Sequence, residues 1–296
     1  MNQQEREELL GKWIQPSSDD EVAQQERALR MVDQALAASP LASVAKRVYA
    51  KGSYANNTNV RRDSDIDIAV DCHEAIYYES FPSVSPPVVL PQYTGEWTYE
   101  KWRKSVVEAV FAQFGDAVDS SGSIALRVPE VAGSRPSIDV VPGFHFRKYS
   151  SADATSWYDG AKVYAKSGDS IVNWPAQQLS NGREKNDRTH RRYKNFVRAL
   201  KSAEKGLVDD GVIGAKPSYM MECLVYNVAD STLSTGGLDT AFRATLVELW
   251  AGLSDASIHD TWLEPNERKW ALRGAQTWSV EDAREVVIGA WRLLTY

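Results

Sequence analysis

The chain has 296 residues, of which 43% are hydrophobic and 25% charged, and its formal net charge is −6. This composition excludes a disordered chain, and the acidic balance argues against an extended surface for long nucleic acid. No apolar run approaches membrane-spanning length, and the residues after Met1 lack the features of a signal peptide. Because Cys72 and Cys223 lie far apart, we expect no disulfide framework or zinc site and a cytoplasmic location.

The first half of the chain mixes helical and strand patterns. Residues from Gln3 to about Ser39 are predicted to be helical; the stretch 20–38 lacks Pro and Gly, has apolar residues at helical spacing and could be capped by Ser18 or Asp19. Residues 43–50 fit a short strand or a helix end. Alternation of apolar and polar residues predicts a strand over 64–70. Further along we predict a proline-rich loop at 81–92, a helix at 100–114 and strands at 124–128 and 137–141.

After about residue 150 the pattern becomes helical, and no convincing strand remains. The predicted helices span residues 183–205, 218–228, 239–253 and 279–294. Ser279 is the expected N-cap of the last helix, with Asp282 three residues further on. We therefore predict two domains: residues 1–160, with N-terminal helices, and a helical domain over 161–296.

Two carboxylates lie two residues apart in the predicted strand at 64–70. Side chains with this spacing point to the same side of a strand, so Asp65 and Asp67 face one place. Two carboxylates this close repel each other, and the repulsion destabilises the fold unless the two carboxylates share a cation. Asp139 lies in a later predicted strand, and pairing of the two strands would bring three carboxylates together. Oxygen ligands of this kind suit two Mg²⁺ or Mn²⁺ ions, about 4 Å apart.

A Gly-Ser pair precedes these carboxylates by about a dozen residues. Gly52 allows backbone amides to approach a phosphate, and the hydroxyl of Ser53 can donate to it. Taken alone, the Gly-Ser pair also fits an ordinary turn, and the Asp-x-Asp pair also fits a solvated strand end. The combination of turn, alternating strand and later acid is more specific and predicts metal-dependent nucleotidyl transfer.

Residues 52–67, GSYANNTNVRRDSDID, closely resemble the signature of the polymerase-β-like nucleotidyltransferases. Within them the segment is most similar to the bacterial CD-NTases, relatives of cyclic GMP–AMP synthase and oligoadenylate synthase. NGREKN at 181–186 is similar to the start of that family's central helix, and KPSYMMECL at 216–224 to the helix that closes over the donor nucleotide. The resemblance spans roughly residues 45–230.

The resemblance implies an α+β fold: a polymerase-β-like nucleotidyltransferase core, with a mixed sheet and flanking helices, plus a C-terminal helical domain. The active site would lie in the cleft between them. The implied catalytic and metal-binding residues are Asp65, Asp67 and Asp139. The implied nucleotide-binding residues are Gly52 and Ser53 at the donor phosphates, Lys201 and Ser218 at the triphosphate, and Tyr219 stacked on a base.

Several of these residues also fit a plainer interpretation. Lys194, Arg198, Lys201 and Lys205 recur at helical spacing and could form the solvated face of an amphipathic helix. The pattern alone favours that interpretation for Lys205, and by a narrow margin for Lys201. A tyrosine at a helix start, such as Tyr219, is more often a packing residue, although aromatic stacking is a common way to hold a base.

Residues beside the Asp65–Asp67 pair also have a structural interpretation. Asp63 and Asp71 lie further along the same face and are expected to be solvated strand ends. Cys72-His73 is expected to form the end of the strand.

The resemblance implies an enzyme that joins nucleoside triphosphates into a cyclic di- or oligonucleotide second messenger with pyrophosphate release. Its product would activate a separate effector in antiphage (CBASS) signalling. We expect a monomer that needs no membrane. We also expect no requirement for long nucleic acid, since the chain lacks the cysteine cluster of the zinc-binding insertion in the family's animal member. The sequence does not fix the bases, the linkage or the ring size.

Two alternatives remain at this point. The same fold could transfer a nucleotide to a small molecule, a protein or an RNA 3′ end. The chain could also be an inactive nucleotide-binding scaffold. The acidic charge weakens the RNA version, and the intact set of three carboxylates weakens the scaffold, because decay usually removes such costly groups.

Overall fold

The computed structural model describes residues 1–60, 65–79, 93–151, 153–274 and 276–296. The loop predicted at 81–92 and Asp63 lie outside the described residues. The described residues of Asp19–Tyr54 and Ser64–Ala176 form one compact unit, here called the sheet unit. Those of Met1–Ser18, Ala55–Asp63 and Gln177–Tyr296 form a second, the helical unit. The N-terminal helix thus packs with the C-terminal helices, and the boundary predicted after residue 160 falls inside a strand of the sheet unit.

In the sheet unit, the described residues form one mixed sheet in the order β1-β2-β4-β5-β6, with β3 paired to β4. β2 and β4 run parallel, and the other pairs are antiparallel. The strands are β1 Lys46–Lys51, β2 Ile66–Glu79, β3 Leu126–Val128, β4 Ile138–Tyr149, β5 Trp157–Tyr164 and β6 Ser170–Asn173. The accompanying helices are α2 Asp19–Ala37, the single turn α3 Gly52–Ala55 and α4 Tyr99–Phe114, with a 3₁₀ turn at Pro40–Ser43.

The alternation of apolar and polar residues predicted for 64–70 determines which face of β2 packs against the core. Ile66, Ile68 and Val70 are at most 1% exposed and join a core that includes Val32 of α2 and Trp102 of α4. The intervening residues of β2 project from the opposite face of the sheet, where Asp67 lies. One face of the central strand is therefore fixed by apolar packing, and the other carries the polar site.

The strand is longer than predicted. It continues to Glu79, so the expected strand end at Cys72-His73 is wrong. Asp71 is 3% exposed and accepts a hydrogen bond from the Tyr49 hydroxyl at 2.8 Å, so its expected solvation is also wrong. Burial raises the pKa of Asp71 to about 6.

The expectation of no strand after residue 150 is wrong as well. β5 and β6 extend the sheet on one side, and β5 pairs with β4 from Gly143 opposite Val163 to Tyr149 opposite Trp157. Asp159, Gly160 and Lys162 interrupt the apolar residues of β5 in the sequence, and only Ala161 and Val163 are buried.

The helical unit buries its own apolar core, to which α6, α7, α9 and α11 contribute most of the buried side chains. Its described helices are α1 Gln3–Trp13, α5 Pro175–Arg188, α6 Arg192–Asp209, α7 Ser218–Tyr226, α8 Asp230–Leu233, α9 Leu238–Leu253, α10 Ala256–His259 and α11 Val280–Leu293. Ser279 caps α11 in a capping box with Asp282, as predicted. In the part of the chain that the structure describes, the helices lack the combined length and apolarity that a membrane span requires.

Candidate active site

Four charged side chains lie in one row across the sheet unit. Lys51 of β1 is opposite Asp67 of β2, which is opposite Asp139 of β4. Asp139 is in turn opposite Arg127 of β3. Side chains paired across neighbouring strands project from the same face. The parallel pairing of β2 with β4 therefore places two of the three predicted carboxylates side by side, with a basic residue at each end of the row.

The two central carboxylates are poorly compensated. Burial raises the pKa of Asp67, with Lys51 opposing the rise and Asp139 and Asp65 adding to it. Burial also raises the pKa of Asp139 and Asp65 raises it further, while Arg127 and Lys51 oppose the rise. Two desolvated carboxylates on adjacent strands are the kind of oxygen ligands that a divalent cation stabilises. The donor set therefore fits Mg²⁺ or Mn²⁺.

Gly52 lies against the Asp67 carboxylate. It follows β1 directly and has φ of +70°, a conformation that favours glycine. A Cβ atom at this position would lie 2.3 Å from Asp67 Oδ2. Glycine is thus required for two reasons, backbone conformation and the space that the carboxylate occupies. Ser53 is half-buried in the turn that follows.

Asp65 directly precedes β2, and its carboxylate is already engaged. The Arg127 Nη2 atom lies 3.0 Å from Oδ1 and 2.9 Å from Oδ2. The Ser137 hydroxyl also donates to Oδ1. In this arrangement the described residues contain no group of three His, Cys, Asp or Glu side chains placed to hold a metal ion. For Asp65 to join Asp67 and Asp139 around a cation, it must exchange Arg127 for that cation.

Lys201 of α6 is a buried cation of the helical unit. It is 5% exposed, so the solvated-face interpretation of this residue is wrong. Burial lowers the pKa of Lys201 to about 8, and Glu222 opposes that shift. The described residues give Lys201 neither an ion pair nor a hydrogen-bond acceptor. Lys205 is exposed and lies 3.6 Å from Asp209, in agreement with the plainer interpretation.

Ser218 and Tyr219 begin α7. Ser218 is exposed and follows Pro217. Tyr219 is half-buried, its hydroxyl donates to Glu264 at 3.2 Å, and its ring meets Trp278 edge-on at 6.1 Å between centroids. These contacts give Tyr219 a packing role in the helical unit. Its stacking on a base remains a prediction.

Comparison with known proteins identifies the family. The model described as the cGAS/DncV-like nucleotidyltransferase C-terminal helical domain matches residues 180–295. Over 290 residues the chain is 33% identical to the cyclic dipyrimidine nucleotide synthase CdnE of Legionella pneumophila, covering 96% of each protein. The chain belongs to the CD-NTase family. Another CD-NTase, the cyclic dipurine nucleotide synthase of Elizabethkingia meningoseptica, is 28% identical over 298 residues, with 98% of each protein covered.

Solved CD-NTase structures have the same fold. The E. meningoseptica CdnE cyclic dinucleotide synthase with GTP and Apcpp aligns at a TM-score of 0.80 and 26% identity, covering 98% of this chain and 99% of that one. The Rhodothermus marinus CdnE c-UMP-AMP synthase with Apcpp and Upnpp aligns at a TM-score of 0.83 and 26% identity, covering 98% and 96%. The predicted nucleotidyltransferase, with a mixed sheet and a C-terminal helical domain, is confirmed.

Sequence reasoning missed Lys51, Arg127 and Ser137. Lys51 directly precedes Gly52, and assuming a hairpin between the first two predicted strands could have placed it opposite Asp67. No local signal identifies Arg127 or Ser137, because their contacts depend on how β3 and β4 pair.

Replacing Arg127 with glutamine removes the cation that holds Asp65. We expect R127Q to bind Mn²⁺ about threefold to fivefold more tightly, since a partly exposed ion pair contributes up to about 1 kcal/mol. Titration calorimetry with Mn²⁺, without nucleotide, measures this change. R30Q removes an exposed pair with Glu26 on α2 and serves as the control with unchanged affinity. Equal or weaker Mn²⁺ binding by R127Q contradicts the prediction.

Proposed function

We propose that this CD-NTase joins two nucleoside triphosphates into a cyclic dinucleotide second messenger, releasing pyrophosphate at each of two transfers. The observation that carries the proposal is the pairing of Asp67 with Asp139 on parallel strands, with Gly52 against the Asp67 carboxylate. Relatives that align over nearly the whole chain are named cyclic dipyrimidine and cyclic dipurine nucleotide synthases, and these names support the product class.

Each transfer is an in-line displacement at phosphorus. A ribose hydroxyl of the acceptor nucleotide forms a bond to the donor α-phosphorus, and the bond from that phosphorus to the bridging oxygen breaks. Asp139 receives the hydroxyl proton, and pyrophosphate leaves. When bound, two Mg²⁺ or Mn²⁺ ions on Asp65, Asp67 and Asp139 would supply positive charge at the attacking and leaving oxygens. The second transfer, within the linear intermediate, closes the ring.

The substrate-binding roles are part of the same proposal. The residues assigned to the nucleotides are Gly52 and Ser53 at the donor phosphates, Lys201 and Ser218 at the triphosphate, and Tyr219 at a base. The burial of Lys201 without an anionic partner supports its assignment, because a phosphate would offset the cost of the desolvated ammonium. The positive φ of Gly52 supports a close backbone approach.

Mass spectrometry of the product mixture tests the proposal. Purified protein incubated with Mg²⁺ or Mn²⁺ and all four NTPs should yield a phosphatase-resistant product with the mass of a cyclic dinucleotide. Omitting one NTP at a time identifies the bases, which the relatives do not determine because dipyrimidine and dipurine synthases both align with this chain. Recovery of linear products alone, all sensitive to phosphatase, would contradict cyclisation.

The signalling context extends the proposal. Family membership supports a product that activates a separate effector in antiphage defence. We also propose that the catalytic unit is a monomer that requires no long nucleic acid, consistent with the net charge of −6. Product formation by the purified protein without added nucleic acid tests the independence from long nucleic acid.

A further inference from the structure

Glu222 is a buried carboxylate within the helical unit. It lies in α7, is 3% exposed and accepts hydrogen bonds from three neutral side chains. Asn56 Nδ2 at 3.2 Å and Gln178 Nε2 at 2.8 Å donate to one oxygen, and Thr58 Oγ1 at 3.0 Å donates to the other. Both oxygens of the Glu222 side chain therefore have hydrogen-bond donors in the interior. The described residues provide no ion pair to this carboxylate.

Lys201 is a buried cation on α6, the helix that packs against α7, which carries Glu222. Three groups influence Lys201 besides burial itself: Glu222 and Cys223 of α7, and Arg198 of α6. Burial lowers the pKa of Lys201, Glu222 raises it, and Arg198 lowers it. The Cys223 thiol is itself neutral at ordinary pH, because burial raises its pKa well above the usual range. Glu222 is therefore the one nearby charge, among those three, that favours the ammonium.

We propose that Glu222 is a positioning residue that keeps the buried Lys201 cationic and available to the donor triphosphate, by a charge placed near Lys201 but not paired with it. The inference rests on the proposed function, in which Lys201 binds phosphate. A buried ammonium without a nearby negative charge tends to lose its proton, whereas a direct carboxylate partner would compete with the phosphate. Because its hydrogen bonds come from neutral side chains, Glu222 supplies a negative charge near Lys201 without forming an ion pair that would compete with the phosphate.

Two of the three donors to Glu222 lie in the segment that follows the Gly52-Ser53 turn. Asn56 and Thr58 follow Gly52 and Ser53 within a few residues, and both are buried. The segment after the proposed phosphate-binding turn is thus held by the same carboxylate that influences Lys201.

Glu222→Gln separates the charge from the hydrogen bonds. The amide oxygen can still accept from Asn56 and Gln178, and the Thr58 hydroxyl can accept from the amide nitrogen. In the wild type, affinity for a non-hydrolysable ATP analogue with Mn²⁺ should fall as pH rises through about 8, where Lys201 loses its proton. In E222Q the fall should occur about one pH unit lower. Affinity is then about fivefold below wild type at pH 8 and close to wild type at pH 6.5.

Glu264→Gln is the matched control. Glu264 is a second buried glutamate of the helical unit, 5% exposed. It likewise accepts hydrogen bonds from neutral side chains, namely Tyr219, Asn266 and Gln276. Because Glu264 does not influence Lys201, E264Q should keep the wild-type pH dependence, whatever its affinity.

Lys201→Met completes the test. K201M should lose the pH dependence near 8, and E222Q should have no further effect on affinity in that background. Identical pH profiles for E222Q and wild type, or an undiminished effect of E222Q in K201M, overturn the inference. If E222Q does not fold, K201M alone tests the inference. A fall in the affinity of K201M near pH 8 would overturn the inference, because the fall would then not come from Lys201. Analogue binding requires no cyclisation, so a wild type that binds but forms no cyclic product refutes the proposed function alone.

Discussion

Asp67→Asn is expected to lower the rate of product formation by at least about 10³-fold, equivalent to about 4 kcal/mol of transition-state stabilisation. Asp67 stands between Lys51 and Asp139 in the charged row, and its carboxylate occupies the space that a Cβ atom at Gly52 would need. Asparagine preserves its shape but removes the charge that a divalent cation requires. Pyrophosphate release, measured with saturating Mg²⁺ and NTPs, gives the rate.

The same substitution should leave thermal stability unchanged or raise it. Burial raises the pKa of Asp67 in the folded chain, so between its unfolded and folded pKa values the native state binds more protons. The free energy of unfolding therefore falls as pH rises through this window, and this loss of stability is complete at neutral pH. Asparagine removes that cost. Scanning calorimetry at pH 7 checks this expectation.

Asp71→Asn is the control for Asp67→Asn. Asp71 lies four residues along the same strand, is 3% exposed and also has a raised pKa, but it belongs to no proposed step. D71N should show the gain in stability without the loss of activity. Equal losses of activity in the two variants would show that the effect comes from the strand and not from the Asp67 charge.

The central strand could be predicted because its information is local. Ile66, Ile68 and Val70 alternate with polar residues, and that period both defines a strand and places Asp67 on the opposite face. The cap at Ser279 is equally local, since a serine followed by an acid three residues later satisfies two backbone amides. In both cases a few neighbouring residues contain the physical cause.

β5 and the break between α5 and α6 could not be predicted in this way. In β5 the polar or small residues Asp159, Gly160 and Lys162 interrupt the apolar ones, so the alternation of a strand extends over only a few residues. The predicted helix over 183–205 is interrupted where His190 and Arg191 adopt φ of 49° and 70°. Neither residue is glycine or proline, so the usual signal of a helix end is missing.

The carboxylate site shows the same division between local and long-range information. The types and spacing of Asp65 and Asp67 predicted a cation site, whereas the contact of Asp65 with Arg127 depends on the pairing of β3 with β4. Likewise, helical periodicity places Lys201 on a basic stripe. Its burial depends on the packing of α6 against other helices, which periodicity does not contain.

Gly52→Ala is expected to combine two effects. A non-glycine residue at φ of +70° costs about 1–2 kcal/mol of stability. In addition, the new Cβ would lie 2.3 Å from Asp67 Oδ2, so the carboxylate must move. A displacement of about 1 Å at a reacting centre can cost about 10²-fold in rate, so we expect at least that loss. Chemical denaturation and initial rates of pyrophosphate release measure the two effects separately.

Gly133→Ala separates backbone strain from the displacement of Asp67. Gly133 has φ of +72° and lies in an exposed turn of the same unit, where a Cβ would meet no atom within 4 Å. G133A should therefore lose a similar amount of stability but keep its activity. If G52A retained the rate of G133A, contact between Gly52 and Asp67 would have no part in catalysis. A large loss confined to G52A instead means that the turn sets the position of the carboxylate, because the two variants share the strained φ and differ in what the new methyl group meets.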